Sequence, residues 1–202
     1  HDIYIGPCEY PAIEKALVDF RRSSSVMPAP FLMEMYALFN NRQINENTMV
    51  AEIRLIDSYL MRRALCGNDS SALSRYFPTL LRTVMTARKK NKKQDILSLT
   101  KVNLITYNRG KSLAMPTDEQ LRTQMKEINA YSLMCIRPVL ERIEMYGASA
   151  AVDTSDLNIE HIMPQNPNAW WKKNSGTADE DDYTFCANLI GNLTLCAQYD
   201  NS

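Results

Sequence analysis

Apolar residues change their spacing once along this chain, near residue 152, and that change limits the fold more than any other feature. From residue 11 to 147 they recur every three or four positions, as on one face of a helix. Beyond it they fall in short alternating runs, as in half-buried strands. The sequence therefore predicts a mainly α protein with a helical domain at 1–150 and a small domain at 151–202.

The helical part is punctuated by recognisable starts and stops. Pro28 and Pro30 precede Phe31, Leu32, Met35, Leu38 and Phe39, which share a face. Asn47 or Thr48 is expected to cap a long helix with Ile53, Ile56, Leu60, Ala64 and Leu65 inward, closed by Gly67-Asn68 in a left-handed turn. Pro78 is expected to divide the next segment, because proline lacks the amide a helix interior needs, so that Leu80, Leu81, Val84 and Met85 lie on a separate helix. Thr117-Asp118-Glu119-Gln120 has the form of a capping box. Residues 131 to 146 read as one helical run containing Pro138 and ending at Gly147, and the small polar stretch from Ala148 to Ser155 reads as a linker.

Composition excludes several classes. Lys plus Arg equals Asp plus Glu at 23 each, so a nucleic-acid-binding face has to be a local patch or come from other parts of the full protein. No apolar run approaches the roughly 20 residues that span a bilayer, and no leader peptide is visible, so no membrane partner is expected. Five cysteines are scattered without a C-x-x-C pair, which points to reduced thiols in a cytoplasm and to no zinc–cysteine site. The 11 methionines sit at helical apolar positions and read as core filler. The opening His1 and the ending Asn201-Ser202 suggest a piece of a longer protein, with its last module incomplete at the C-terminus.

Two segments carry chemistry. In Asn158-Ile159-Glu160-His161-Ile162-Met163-Pro164 a strand-like run ends on an acid and a histidine, with a proline that ends the strand. In Gly191-Asn192-Leu193-Thr194-Leu195-Cys196 an Asn opens an alternating run, and Asn201 follows it. Glu160 and His161 are adjacent, so on a regular strand they face opposite ways and share a site only where the strand ends or bends. Besides His1, His161 is the chain's only imidazole. Between the segments stand Trp170-Trp171, expected in the core, then Lys172-Lys173 and the surface acidic run Asp179-Glu180-Asp181-Asp182, which would repel DNA.

These segments, with Leu55–Arg63, Cys66-Gly67, Phe77, Met115–Glu119 and Tyr131, resemble the C-terminal His-Asn-His region of the GmrSD-type modification-dependent restriction endonucleases. The resemblance implies a helical bundle followed by a truncated strand–strand–helix (ββα-metal) nuclease module. It implies His161 as general base, Asn192 as the group that fixes it, Glu160 and Asn201 as ligands of a divalent metal (Mg²⁺ or Mn²⁺), and DNA, modified or foreign, as substrate. It also implies an N-terminal nucleotide-hydrolysing, ParB-like domain in the whole protein. Arg62, Arg63, Lys172 and Lys173 are candidate nucleic-acid contacts; for Arg62-Arg63 the plainer reading is one packed stem and one solvated head. The basic run Arg88–Lys93 reads as a solvated loop, with phosphate contact as the alternative. Two other functions fit the same residues: an inactive helical module docking a sensor to the nuclease, and an RNA-cleaving, toxin-like nuclease.

Overall fold

The computed structural model describes residues 8–22, 26–91, 93–108, 111–149 and 152–197. The chain divides into two compact units, residues 1–117 and 118–202.

The first unit is helical. Helices α1 (Pro11–Arg22), α2 (Ala29–Asn40), α3 (Glu46–Leu65), α4 (Leu73–Lys90) and α5 (Ile96–Lys101) are followed without a break by a π-helical segment, Val102–Tyr107. Each helix buries a stripe at helical spacing: Ile13, Leu17 and Phe20 from α1, Phe31, Leu32 and Met35 from α2, Met49, Ile53, Ile56 and Tyr59 from α3, and Phe77, Leu80 and Val84 from α4.

The long helix starts earlier than the sequence reading places it. Asn45 caps α3, its Oδ1 accepting the Thr48 amide at 2.8 Å. Gly67, at φ 64°, closes the helix as expected. Pro78 does not divide α4. It sits on the exposed face, and Ser74, whose carbonyl its missing amide frees, is exposed too, so solvent is available to that carbonyl.

Glu52, Asp57, Arg63, Thr100 and Asn103 are buried polar side chains among the described residues of this unit. Arg63 is 3% exposed. Its guanidinium donates to the carbonyls of Ser112 (2.6 Å), Ala114 (3.5 Å) and Asp69 (2.5 Å) and lies 5.6 Å from the Tyr59 ring centre. Arg62 donates to the Pro116 carbonyl at 3.2 Å, and Tyr59 to that of Leu113 at 2.9 Å. These bonds clamp the segment 112–116 onto α3. Arg63 is thereby corrected from a candidate nucleic-acid contact to a buried residue whose Nη1 and Nη2 are bonded to carbonyls inside the unit, while its Nε is buried without a partner among the described residues. Glu52 is fully buried and accepts the Thr100 hydroxyl at 3.0 Å, and burial pushes its carboxyl up to about 7.

The second unit begins with α6 (Asp118–Gln124), directly after Thr117. A 3₁₀ turn (Ala130–Ser132) and α7 (Ile136–Met145) follow, then β1 (Leu157–His161), α8 (Ala169–Asn174), α9 (Glu180–Ala187), a second 3₁₀ turn (Ile190–Asn192) and β2 (Leu193–Ala197). The expected helical run at 131–146 is thus a turn and a shorter helix. Pro138 falls in the first turn of α7, where backbone amides have no helical partner to lose. Ile136 and Leu140 of α7 share a core with Ala130, Leu193 and Leu195. That shared core puts α7 with the strands, so the compact units part at 117/118 and not near the expected 150/151. The stretch taken for a linker is anchored too: Thr154 is 4% exposed, and its carbonyl accepts Arg137 Nη2 at 2.9 Å.

Candidate active site

The two strands pair antiparallel with Ile159 opposite Leu195, Glu160 opposite Thr194 and His161 opposite Leu193. Directly opposed residues share a face of the sheet. Leu157, Ile159 and His161 therefore lie on the face that Leu193 and Leu195 bury, while Asn158 and Glu160 lie on the other. β1 ends at His161, and the chain bends at Ile162 and Met163, beyond the paired residues that fix these faces.

The chain beyond His161 is held at every step. The Ile162 amide donates to the Asn192 carbonyl at 3.0 Å. The Asn192 side chain takes Met163 by both backbone groups: Oδ1 accepts its amide at 2.7 Å and Nδ2 donates to its carbonyl at 3.0 Å. Nδ2 also donates to the Ala187 carbonyl at 2.8 Å, which ties the grip to the end of α9. The Tyr183 hydroxyl donates to the Pro164 carbonyl at 2.8 Å. Asn192 thus holds the backbone two residues beyond His161.

The imidazole itself packs against Tyr131 from the 130–132 turn, with ring centres 4.5 Å apart and planes at 66°. Its Nε2 is buried and has no hydrogen-bond partner among the described residues. The turn carrying Tyr131 is fixed by the Asn188 carbonyl, which accepts the amides of Ala130 (2.9 Å) and Tyr131 (3.3 Å). Consecutive carbonyls at the end of α9 therefore anchor both groups that shape the surroundings of His161. Neither Tyr183 nor Asn188 was visible as a site residue in the sequence, since a tyrosine on a helix and an asparagine at its end are ordinary there.

The remaining candidates lie apart from this cluster. Lys172 and Lys173 are exposed in the last turn of α8. Trp171 is half-buried, but Trp170 is 61% exposed, which corrects its expected place in the core: α8 is too short to bury both neighbours on one face. Asp179 and Asp182 cap α9, the Asp179 carboxylate accepting the Asp182 amide at 2.8 Å and the Asp182 carboxylate that of Ala178 at 2.9 Å. Asn201 lies outside the described residues.

No three His, Cys, Asp or Glu side chains converge to hold a metal among the described residues. Glu160 and His161 stand on opposite faces, and Cys196 lies on the Glu160 side without a second thiol. The described donors alone do not fit a cation cage. All five cysteines are free thiols.

The site is thus an antiparallel pair with a histidine at the end of one strand, its following backbone held by an asparagine that precedes the other. Residues 115–202 match the model of the family described as GmrSD restriction endonucleases, C-terminal domain. The match begins within a few residues of the second compact unit. Neither the curated proteins nor the solved structures yield a match to this chain.

Proposed function

We propose that the second unit belongs to an endonuclease that hydrolyses DNA phosphodiester bonds, with His161 as general base. In that reaction His161 takes the proton of a water as its oxygen forms a bond to phosphorus, and the bond from phosphorus to the leaving oxygen breaks. The observation that supports this reading best is the Asn192 grip on Met163, together with the family match. A general base has to be held within hydrogen-bond reach of its water, and rigid backbone on both sides of the strand end does that.

The reading includes a divalent cation, Mg²⁺ or Mn²⁺, whose chemistry is to neutralise charge on the phosphate and the leaving oxygen. Glu160 and Asn201 are its proposed ligands by resemblance, and completing the set requires donors beyond the described residues. The substrate we propose is modified or foreign DNA, and the proposed partner is a nucleotide-hydrolysing ParB-like domain of the same protein.

The test is plasmid cleavage by the full-length protein with and without added Mg²⁺ or Mn²⁺, comparing wild type with His161→Ala, and with matched RNA as a second substrate. Cleavage of DNA lost in the folded variant supports the reading. Equal cleavage by both proteins overturns it, and a preference for RNA replaces the substrate.

A further inference from the structure

The first unit contains a cavity of about 710 Å³ between the end of α2, the start of α3 and the end of α4. Arg42, Arg88 and Lys93 line it, with Tyr10 and the amides of Asn40 and Gln43. The volume is in the range of ordinary ligand sites. Its charge balance is unusual in a chain of zero net charge. Among the described residues none of the three cations has a carboxylate partner. The one acid in the lining, Asp95, is engaged elsewhere: its carboxylate accepts the Ser98 amide and hydroxyl, both at 2.9 Å, capping α5.

Two of the cations are held in ways that folding alone does not favour. Arg88 donates through Nη2 to the Gln43 carbonyl at 2.8 Å, while its Nη1 is buried with no partner. A buried guanidinium nitrogen without an acceptor is costly unless a ligand supplies one. Arg42 has φ 56°, in the left-handed region, and is the only such non-glycine among the described residues. The bonds from the Arg42 amide to Phe39 O and from the Gln43 amide to Leu38 O, both 2.8 Å, are those of a helix end that ordinarily takes glycine at this position. An arginine there places a charge at the cavity in exchange for a conformation its backbone disfavours.

We propose that this cavity is a phosphate-binding site that takes the backbone of DNA, a contact of the helical unit separate from the His161 region. The guanidinium groups supply paired donors for phosphate oxygens, and the first turn of α3, represented in the lining by Asn45 and Thr48, adds the positive end of its dipole. Lys89 and Lys90 continue the positive charge along the exposed end of α4, outside the cavity. A chain of phosphates uses charge beyond the cavity, whereas a single phosphoester does not. The proposal rests on the reading that DNA is the substrate, but not on cleavage or on His161.

The test is binding of a fluorescein-labelled short DNA duplex to the 202-residue chain, by anisotropy at several salt concentrations with a chelator present so that no cutting contributes. Inorganic phosphate, measured by calorimetry, is the second probe. Arg42→Gly, Arg88→Gln and Lys93→Gln are each expected to weaken duplex binding several-fold and to lower the salt slope by about one phosphate contact. Arg42→Gly is decisive, because glycine relieves the left-handed backbone: its melting temperature should rise while its affinity falls, which excludes misfolding as the cause. Equal affinities and slopes for wild type and all three variants overturn the proposal. Variants that lose inorganic phosphate but keep the duplex overturn the DNA backbone as occupant and leave a free phosphoester.

Discussion

Tyr131 lies edge-on to His161, ring centres 4.5 Å apart, and the Nε2 of that imidazole is buried without a partner. Packing, not hydrogen bonding at Nε2, therefore sets how the ring is turned. Tyr131 is itself 42% exposed, so it forms the outer side of this contact. Removing it should open the imidazole to solvent. Tyr131→Ala is expected to raise the rate at which diethyl pyrocarbonate modifies His161, read by peptide mass, while Tyr131→Phe leaves the rate near that of wild type. His1 serves as the internal reference, since it is the only other histidine. An unchanged rate in Tyr131→Ala would show that other groups cover Nε2.

Asn192 makes three side-chain hydrogen bonds, two to Met163 and one to Ala187. Asn192→Ala leaves one amide and two carbonyls unpaired in a half-buried place, and a loss of about 2–3 kcal/mol is expected. Urea unfolding measures it. Cleavage by the full-length protein should fall further than the folded fraction does, because the strand end carrying His161 loses its grip. Asn192→Asp is expected to be no better, since a carboxylate keeps the Met163 amide but faces two carbonyls it has no donor for.

Glu52 gives a pH dependence whose sign follows from burial. Its carboxyl is pushed from an ordinary 4.5 to about 7, first by desolvation, against the Thr100 hydroxyl bond that favours the charged form. The folded pKa lies above the unfolded one, so the stability it contributes is full below about 4.5 and is lost as pH rises through about 7. The loss is of the order of 3 kcal/mol at most. Glu52→Gln keeps an acceptor for Thr100 and removes the titration. Thermal melts of wild type and variant across this range should diverge on the alkaline side, with the variant curve flatter; parallel curves would place the titration elsewhere.

Arg63 is expected to matter for stability and not for nucleic acid. Arg63→Met removes bonds to three carbonyls at 112, 114 and 69 and should cost about 3 kcal/mol. Arg63→Lys should recover only part of this, since an ammonium lacks the planar fork that spans separate acceptors. At temperatures where the variants remain folded, their affinity for duplex DNA should equal that of wild type. A drop in affinity without a drop in stability would return Arg63 to the surface.

Much of the fold was legible in the sequence because local patterns carry it. The helical stripe of α2 at Phe31, Leu32, Met35 and Leu38, the left-handed stop at Gly67 and the start of α6 after Thr117 each depend on neighbours a few residues away. The strand at 193–197 was legible for the same reason, from Leu193 and Leu195. Pro78 misled because its local cost is cancelled by something the sequence does not print, namely that its side of α4 faces water. The boundary near 152 misled because the pattern changes there, while the core that unites Ile136 and Leu140 with Leu193 and Leu195 crosses that change.

Local pattern alone picks out the residues at issue: one internal histidine, the asparagine that opens the second strand, and the run of cations ending at Lys93. It does so because periodicity and residue chemistry are local properties. Their surroundings came from the packed fold. That fold joined Asn192 to Met163, laid Tyr131 against the imidazole, buried Arg63 under carbonyls and gathered Arg42, Arg88 and Lys93 around one cavity. Those relations link residues far apart in the chain, and hydrogen bonds and burial between such residues exist only once the packed core has brought them together.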